Sequence, residues 1–162
     1  HDKSFKVMTN SPTYDQQLTL NAYWKDIGGM TMLPGTNRAA DRFVRASFYI
    51  NAIPKTSDER EAVASVMSVM RNISVPRGIT DPSKPNIAST IWRSVFDHKN
   101  LVYYYEPTSS PNVFWVSLKK LNFKKGAPVM KLELEDGNRI LAGDASDKFE
   151  KAKPFKFITD QR

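Results

Sequence analysis

The hydrophobic spacing of this chain changes period once, across residues 75–86, and that change constrains the fold more than any other feature. Before it, apolar residues recur at helical intervals. Phe43, Ser47 and Ile50 share a stripe flanked by Val44 and Phe48, which predicts a helix over 38–51. Val63, Val66, Met67 and Met70 repeat at helical spacing behind Thr56 and Glu59, whose separation matches a capping box and opens a third helix. A methionine-bearing stripe of that kind packs a core. After the Pro- and Gly-containing stretch 75–86 the pattern turns strand-like, at 89–96, 101–105, 112–121 and 129–135. Asp97-His98-Lys99-Asn100, residues 107–111 and Gly126 separate these runs. Helices followed by antiparallel strands make an α+β chain. Both alternating faces of Val113-Phe114-Trp115-Val116 are apolar, so that strand is expected to be covered on both sides in a layered architecture.

At the start, residues 5–9 read as a short strand with Asn10 at its end. Ser11 is a candidate N-cap and Pro12 a tolerated first helical residue, so a helix over 12–25 is expected and Asn10 falls at a strand-to-helix corner. Gly28, Gly29, Pro34 and Gly35 mark an irregular connection. With 162 residues, 40% of them hydrophobic, the chain is read as a single domain over 1–162. From 138 the periodicity fades and 138–162 is read as an extended tail, its last part, 148–162, docking elsewhere or fraying.

Cysteine is absent, which excludes disulfides, zinc-thiolate sites and a thiol nucleophile within these residues. His1 and His98 are the two histidines, too few for a conventional Ser-His-Asp triad alongside other duties, and His98 reads as a surface residue of a polar turn. No metal or organic cofactor is expected. The net charge of +7 gathers partly in Lys119, Lys120, Lys124, Lys125 and Lys131, with no acidic residue until Glu133. The stretch is either a solvated strand end and turn or a basic module for anionic ligands; no nucleic-acid motif accompanies it. There is no apolar run long enough for a membrane span. No signal-peptide pattern is present, and any leader would precede His1. Tyr23, Trp24 and Tyr103 to Tyr105 are aromatic candidates for binding, the last three read as a structural strand.

Val7-Met8-Thr9-Asn10-Ser11-Pro12-Thr13-Tyr14-Asp15-Gln16-Gln17-Leu18, with Leu33-Pro34-Gly35 and Asp41-Arg42-Phe43-Val44-Arg45-Ala46, resembles the choloylglycine hydrolase family of bile salt hydrolases and penicillin V acylases. The resemblance covers about 7–135 and implies hydrolysis of a linear carbon–nitrogen amide bond in an αββα N-terminal nucleophile sandwich, of which this chain is the C-terminal portion. It also implies an upstream cysteine that combines nucleophile and α-amino base. Asn10 matches the family's active-site asparagine, a donor to the oxyanion; by its residue type alone it equally suits an Asx turn. Arg42 matches the active-site arginine, a guanidinium that favours a thiolate; by type alone it equally suits a surface arginine paired with Asp41 or Asp15. The expected partners are a small-molecule amide (a conjugated bile salt, penicillin V or an acyl homoserine lactone), the N-terminal half of the same enzyme, and further copies in a homo-oligomer. The chain alone is expected to be inactive, and a degenerate, non-catalytic relative is the alternative. The short connection from Trp24 to Gly29 resembles the Gram-negative branch, which implies a periplasmic location, with the cytoplasm as the alternative.

Overall fold

The computed structural model describes residues 3, 6–29, 31–83, 87–134 and 140–155. The chain divides into two compact units, 1–95 and 96–162. The first is helical, with α1 at Tyr14–Asp26, α2 at Ala39–Ala52 and α3 at Glu59–Asn72; α2 packs against both others. Its Phe43, Val44 and Ala46 are buried, as are Met67 and Val69 of α3, so the apolar stripes read from the sequence are the packed faces.

Both caps differ from expectation. Helix α1 begins after Thr13, not at Pro12, because Gln16 reaches back and its Oε1 accepts the Thr13 N–H at 3.3 Å and the Thr13 hydroxyl at 3.1 Å. Helix α3 is capped by Asp58, whose carboxylate accepts the Glu61 N–H at 2.9 Å, while Thr56 accepts the N–H of Asp58. The strand expected over 5–9 is not formed in 6–9: no neighbour among the described residues pairs with it, and a strand exists only through a ladder. Phe5 lies outside the described residues.

Strand β1, Trp92–Asp97, closes the first unit and runs into the second. It is followed by β2 at Val102–Pro107, β3 at Phe114–Ser117, a 3-10 turn at Leu118–Lys120, β4 at Met130–Lys131, β5 at Gly143–Asp144 and β6 at Glu150–Lys151. One sheet has the order β1-β2-β3-β5, and β4 pairs with β6 in a second. The β2–β3 pair is antiparallel with Tyr105 opposite Phe114 and Tyr103 opposite Val116. The β3–β5 pair is parallel, Phe114 opposite Gly143. Strand 112–121 is therefore shorter than expected, and 129–135 reduces to two paired residues, with Glu135 outside the described residues.

Phe114, Leu141 and Ala145 form the buried core of the second unit, with Tyr105 and Leu132 packed on it. Full burial of Phe114 alone is worth roughly 1.5–3 kcal/mol. On the other face of β3, Trp115 is half-buried beside Tyr104. The segment read as a tail thus contains Leu141 and Ala145 of this core. Ser146 is also buried, its hydroxyl accepting the Ser117 N–H at 2.8 Å. Residues 138 and 139, and those from 156 onward, lie outside the described set.

Candidate active site

Asn10 lies on the exposed run before the α1 cap, and Arg42 lies in the second turn of α2, half-buried. The structure joins them: Arg42 Nη2 donates to Asn10 Oδ1 at 2.9 Å across 32 residues of sequence. Arg42 Nε donates to the Asn37 carbonyl at 3.1 Å, which fixes the plane of the guanidinium against the connection entering α2. A guanidinium has only donors, so the asparagine presents its oxygen to Arg42 and its Nδ2 points elsewhere. That amide nitrogen makes no hydrogen bond among the described residues and keeps both N–H groups for an incoming acceptor.

No Asx hydrogen bond uses the Asn10 side chain, and Arg42 makes no ion pair with Asp41 or Asp15 among the described residues. The Asp41 carboxylate instead accepts the Thr36 hydroxyl, which in turn accepts the Arg38 N–H.

Two further residues hold the pair in place, and sequence reasoning assigned neither. Arg45, one turn after Arg42, is buried and donates from Nη1 to the Pro34 carbonyl at 2.7 Å and the Thr36 carbonyl at 2.9 Å, and from Nε to Asn72 Oδ1 at 3.2 Å. It ties the 34–37 connection and the end of α3 to α2. All these acceptors are neutral, so its charge is solvated by dipoles and not cancelled by a carboxylate. Gln17 is 2% exposed, and its Nε2 donates to Asn21 Oδ1 at 3.1 Å and the Ala40 carbonyl at 3.2 Å, stapling α1 to the first turn of α2 two residues before Arg42. For Arg45 the sequence carried no signal of burial, since its position lies away from the Phe43, Ser47 and Ile50 stripe.

His98 is exposed and packs edge-on to Phe96 with ring centroids 4.5 Å apart. Tyr103, Tyr104 and Tyr105 lie on β2, the last against Phe114. Tyr23 and Trp24 stack edge-on at the end of α1. A cavity of about 590 Å³ between α1 and α2 is walled by Leu18, Trp24, Leu33, Val44 and Phe48 and does not include Asn10 or Arg42. Among the described residues no cluster of three or more His, Asp or Glu is placed to hold a metal ion, and no helix is long and apolar enough to cross a membrane.

An oriented amide donor beside a fixed guanidinium is suited to stabilising an anion. Residues 1–138 match the linear amide C–N hydrolases of the choloylglycine hydrolase family. The chain is 53% identical over 171 residues to the penicillin V acylase of Pectobacterium atrosepticum, covering 97% of this chain and 46% of that protein. It is 26% identical over 141 residues to the bile salt hydrolase/transferase of Lactiplantibacillus plantarum, covering 73% of this chain and 43% of that one. The solved penicillin V acylase of Agrobacterium tumefaciens superposes with a TM-score of 0.87 at 57% identity, over 95% of this chain and 49% of that structure's. The chain belongs to the choloylglycine hydrolase family of linear amide C–N hydrolases. It spans about half the length of the curated relatives it matches.

Proposed function

We propose that these residues supply the oxyanion-side half of an amidase site whose attacking cysteine lies outside the 162 residues. The observation that carries this reading is the Arg42–Asn10 hydrogen bond, which turns the asparagine so that its N–H groups face away from the cation. In the reaction, a thiolate attacks the amide carbon and the carbonyl oxygen becomes an oxyanion held by the Asn10 amide. The C–N bond then breaks, the amine leaves with the proton taken from the thiol by the nucleophile's own α-amino group, and water cleaves the thioester to release the acid. Arg42 orients Asn10 and favours the thiolate by its charge.

The substrate class is an amide carrying a bulky apolar acyl group. The 53% identity to a penicillin V acylase favours the phenoxyacetyl amide over conjugated bile salts and acyl homoserine lactones. A periplasmic location belongs to the same proposal and rests on the short connection from Trp24 to Gly29. A homo-oligomer rests on the family resemblance and not on that connection, whose shortness speaks against the family's usual tetramer. The test is Asn10→Ala in the full-length protein. It is expected to lower kcat by about 10²–10³-fold with little change in KM, because an oxyanion donor acts in the transition state. Arg42→Lys, which keeps the charge and loses the second donor, is expected to lower kcat less. Wild-type kcat in Asn10→Ala removes the residue from the site, and a full-length protein that hydrolyses none of the three amide classes makes the chain a non-catalytic relative.

A further inference from the structure

The peptide unit that joins Asn37 to Arg38 is bonded on both of its edges. Its carbonyl accepts Arg42 Nε at 3.1 Å, and its N–H donates to Thr36 Oγ1 at 3.2 Å. The unit is trans and planar, so carbonyl and N–H point in opposite directions and a hold on one fixes the other. Whatever orients the Thr36 hydroxyl therefore orients the oxygen that grips the Arg42 guanidinium.

Thr36 is itself tied to α2 twice. Its hydroxyl donates to the Asp41 carboxylate, a charge-assisted bond that leaves an oxygen lone pair for the Arg38 N–H. Its carbonyl accepts Arg45 Nη1 at 2.9 Å, the same nitrogen that donates to the Pro34 carbonyl at 2.7 Å. Asp41 lies in the first turn of α2 and Arg45 is buried one turn further along, so both bonds run to the helix that carries Arg42. In a capping box the residue at the position of Asp41 accepts the N-cap N–H directly. Here Arg38 is the N-cap, no side chain caps α2, and Asp41 reaches the Arg38 N–H through the interposed Thr36 hydroxyl.

We propose that Thr36 is a positioning residue for Arg42. Together with Asp41 it sets the plane of the 37–38 peptide, and that peptide's carbonyl sets the plane of the guanidinium whose Nη2 turns Asn10. The inference rests on the reading of Asn10 and Arg42 as the oxyanion side of an amidase site. The guanidinium donors form a rigid planar fork, so losing the Nε anchor frees the plane and lets the Asn10 amide wander with it. A donor aimed at the wrong place costs transition-state stabilisation and leaves substrate binding nearly as it was.

The experiment is hydrolysis of penicillin V by full-length protein carrying Thr36→Val, which keeps the side chain's shape and removes the hydroxyl. A fall in kcat of about tenfold is expected, the effect of one hydrogen bond, with KM changed by less than about twofold. Thr36→Ser, which restores the hydroxyl, should recover most of the loss. In Arg42→Lys there is no Nε for the carbonyl to hold, so adding Thr36→Val should cost no further kcat. Nitrogen-15 spectra give a readout that needs no turnover. The Arg42 Nε–H signal, assigned by its loss in Arg42→Lys, should exchange with water about tenfold faster in Thr36→Val as its hydrogen bond weakens. Wild-type kcat in Thr36→Val overturns the proposal, and so does an unchanged exchange rate. An equal loss of kcat on the Arg42→Lys background overturns it too, because Thr36 would then support the fold without acting through Arg42. Wild-type kcat in Asn10→Ala removes the oxyanion reading instead, while faster exchange in Thr36→Val would still uphold the coupling of Thr36 to Arg42.

Discussion

Arg42 and Arg45 stand one turn apart on α2 and serve different ends. Arg42 is half-buried and holds the Asn10 side chain and the Asn37 carbonyl; Arg45 is enclosed and holds two carbonyls of the connection and the Asn72 side chain at the end of α3. Replacing Arg45 by methionine keeps most of the apolar stem and orphans those acceptors, so it is expected to lower the stability of the full-length protein by about 3 kcal/mol. Arg42→Met should cost less, about 1 kcal/mol, because Arg42 is only half-buried and bonds to two acceptors. Urea unfolding midpoints check the order, and equal midpoints would show that the Arg45 contacts are dispensable. The pair Asn10 and Arg42 was readable only because a motif surrounds each; an Asn before Ser-Pro and an Arg on an amphipathic helix say nothing alone. Arg45 escaped because its position lies away from the Phe43, Ser47 and Ile50 stripe and its type favours exposure; its burial comes from the neighbouring carbonyls of Pro34 and Thr36.

Among the elements, long periodic ones were read correctly and short or locally capped ones were not. Helix α2 came out at Ala39–Ala52 against an expected 38–51 because apolar and small residues repeat along it. The caps of α1 and α3 each moved by two residues, since Thr13 competes with Ser11 and Asp58 with Thr56, and spacing alone does not rank them. Strands β5 and β6 have two residues each, too few to show any period. The β1–β2 hairpin is set by Asp97, whose carboxylate accepts the N–H groups of Lys99 and Asn100 and the Asn100 side chain. These bonds, the Asn100 N–H first, hold its pKa below the usual carboxylate range. A folded value below the unfolded one means that the contribution is complete above about pH 4 and is lost as pH falls through the folded value. The protection factor of the Asn100 amide should therefore fall on acidification in the native protein and be indifferent to pH in Asp97→Asn. In the same hairpin Leu101 has a φ of 58°, a left-handed conformation that costs a branched side chain about 1–2 kcal/mol. Leu101→Gly is expected to raise the melting temperature, and a lower one would show that the leucine's contacts outweigh that strain.

As a whole the molecule is two units, each with more apolar surface than its own elements cover. In the second, Tyr103, Phe114, Val116, Leu132 and Phe149 line an open hollow of about 260 Å³ on the sheet. Faces of this kind drive association. The 162-residue chain alone is expected to self-associate, to be stabilised when the upstream part is added in trans, and to hydrolyse no penicillin V, having no thiol to attack with. Ultracentrifugation and thermal melts with and without that part test this; a monomer whose melting is indifferent to the addition would contradict it.

Every contact that fixes Asn10 against Arg42, from the Gln17 staple to the Asn72 anchor of Arg45, falls between residues 10 and 72, inside the first unit. On the ribosome this stretch leaves the exit tunnel ahead of β2 and β3, and domains generally fold as units in chain order. The arginine–asparagine pair can thus close before the sheet of the second unit is complete.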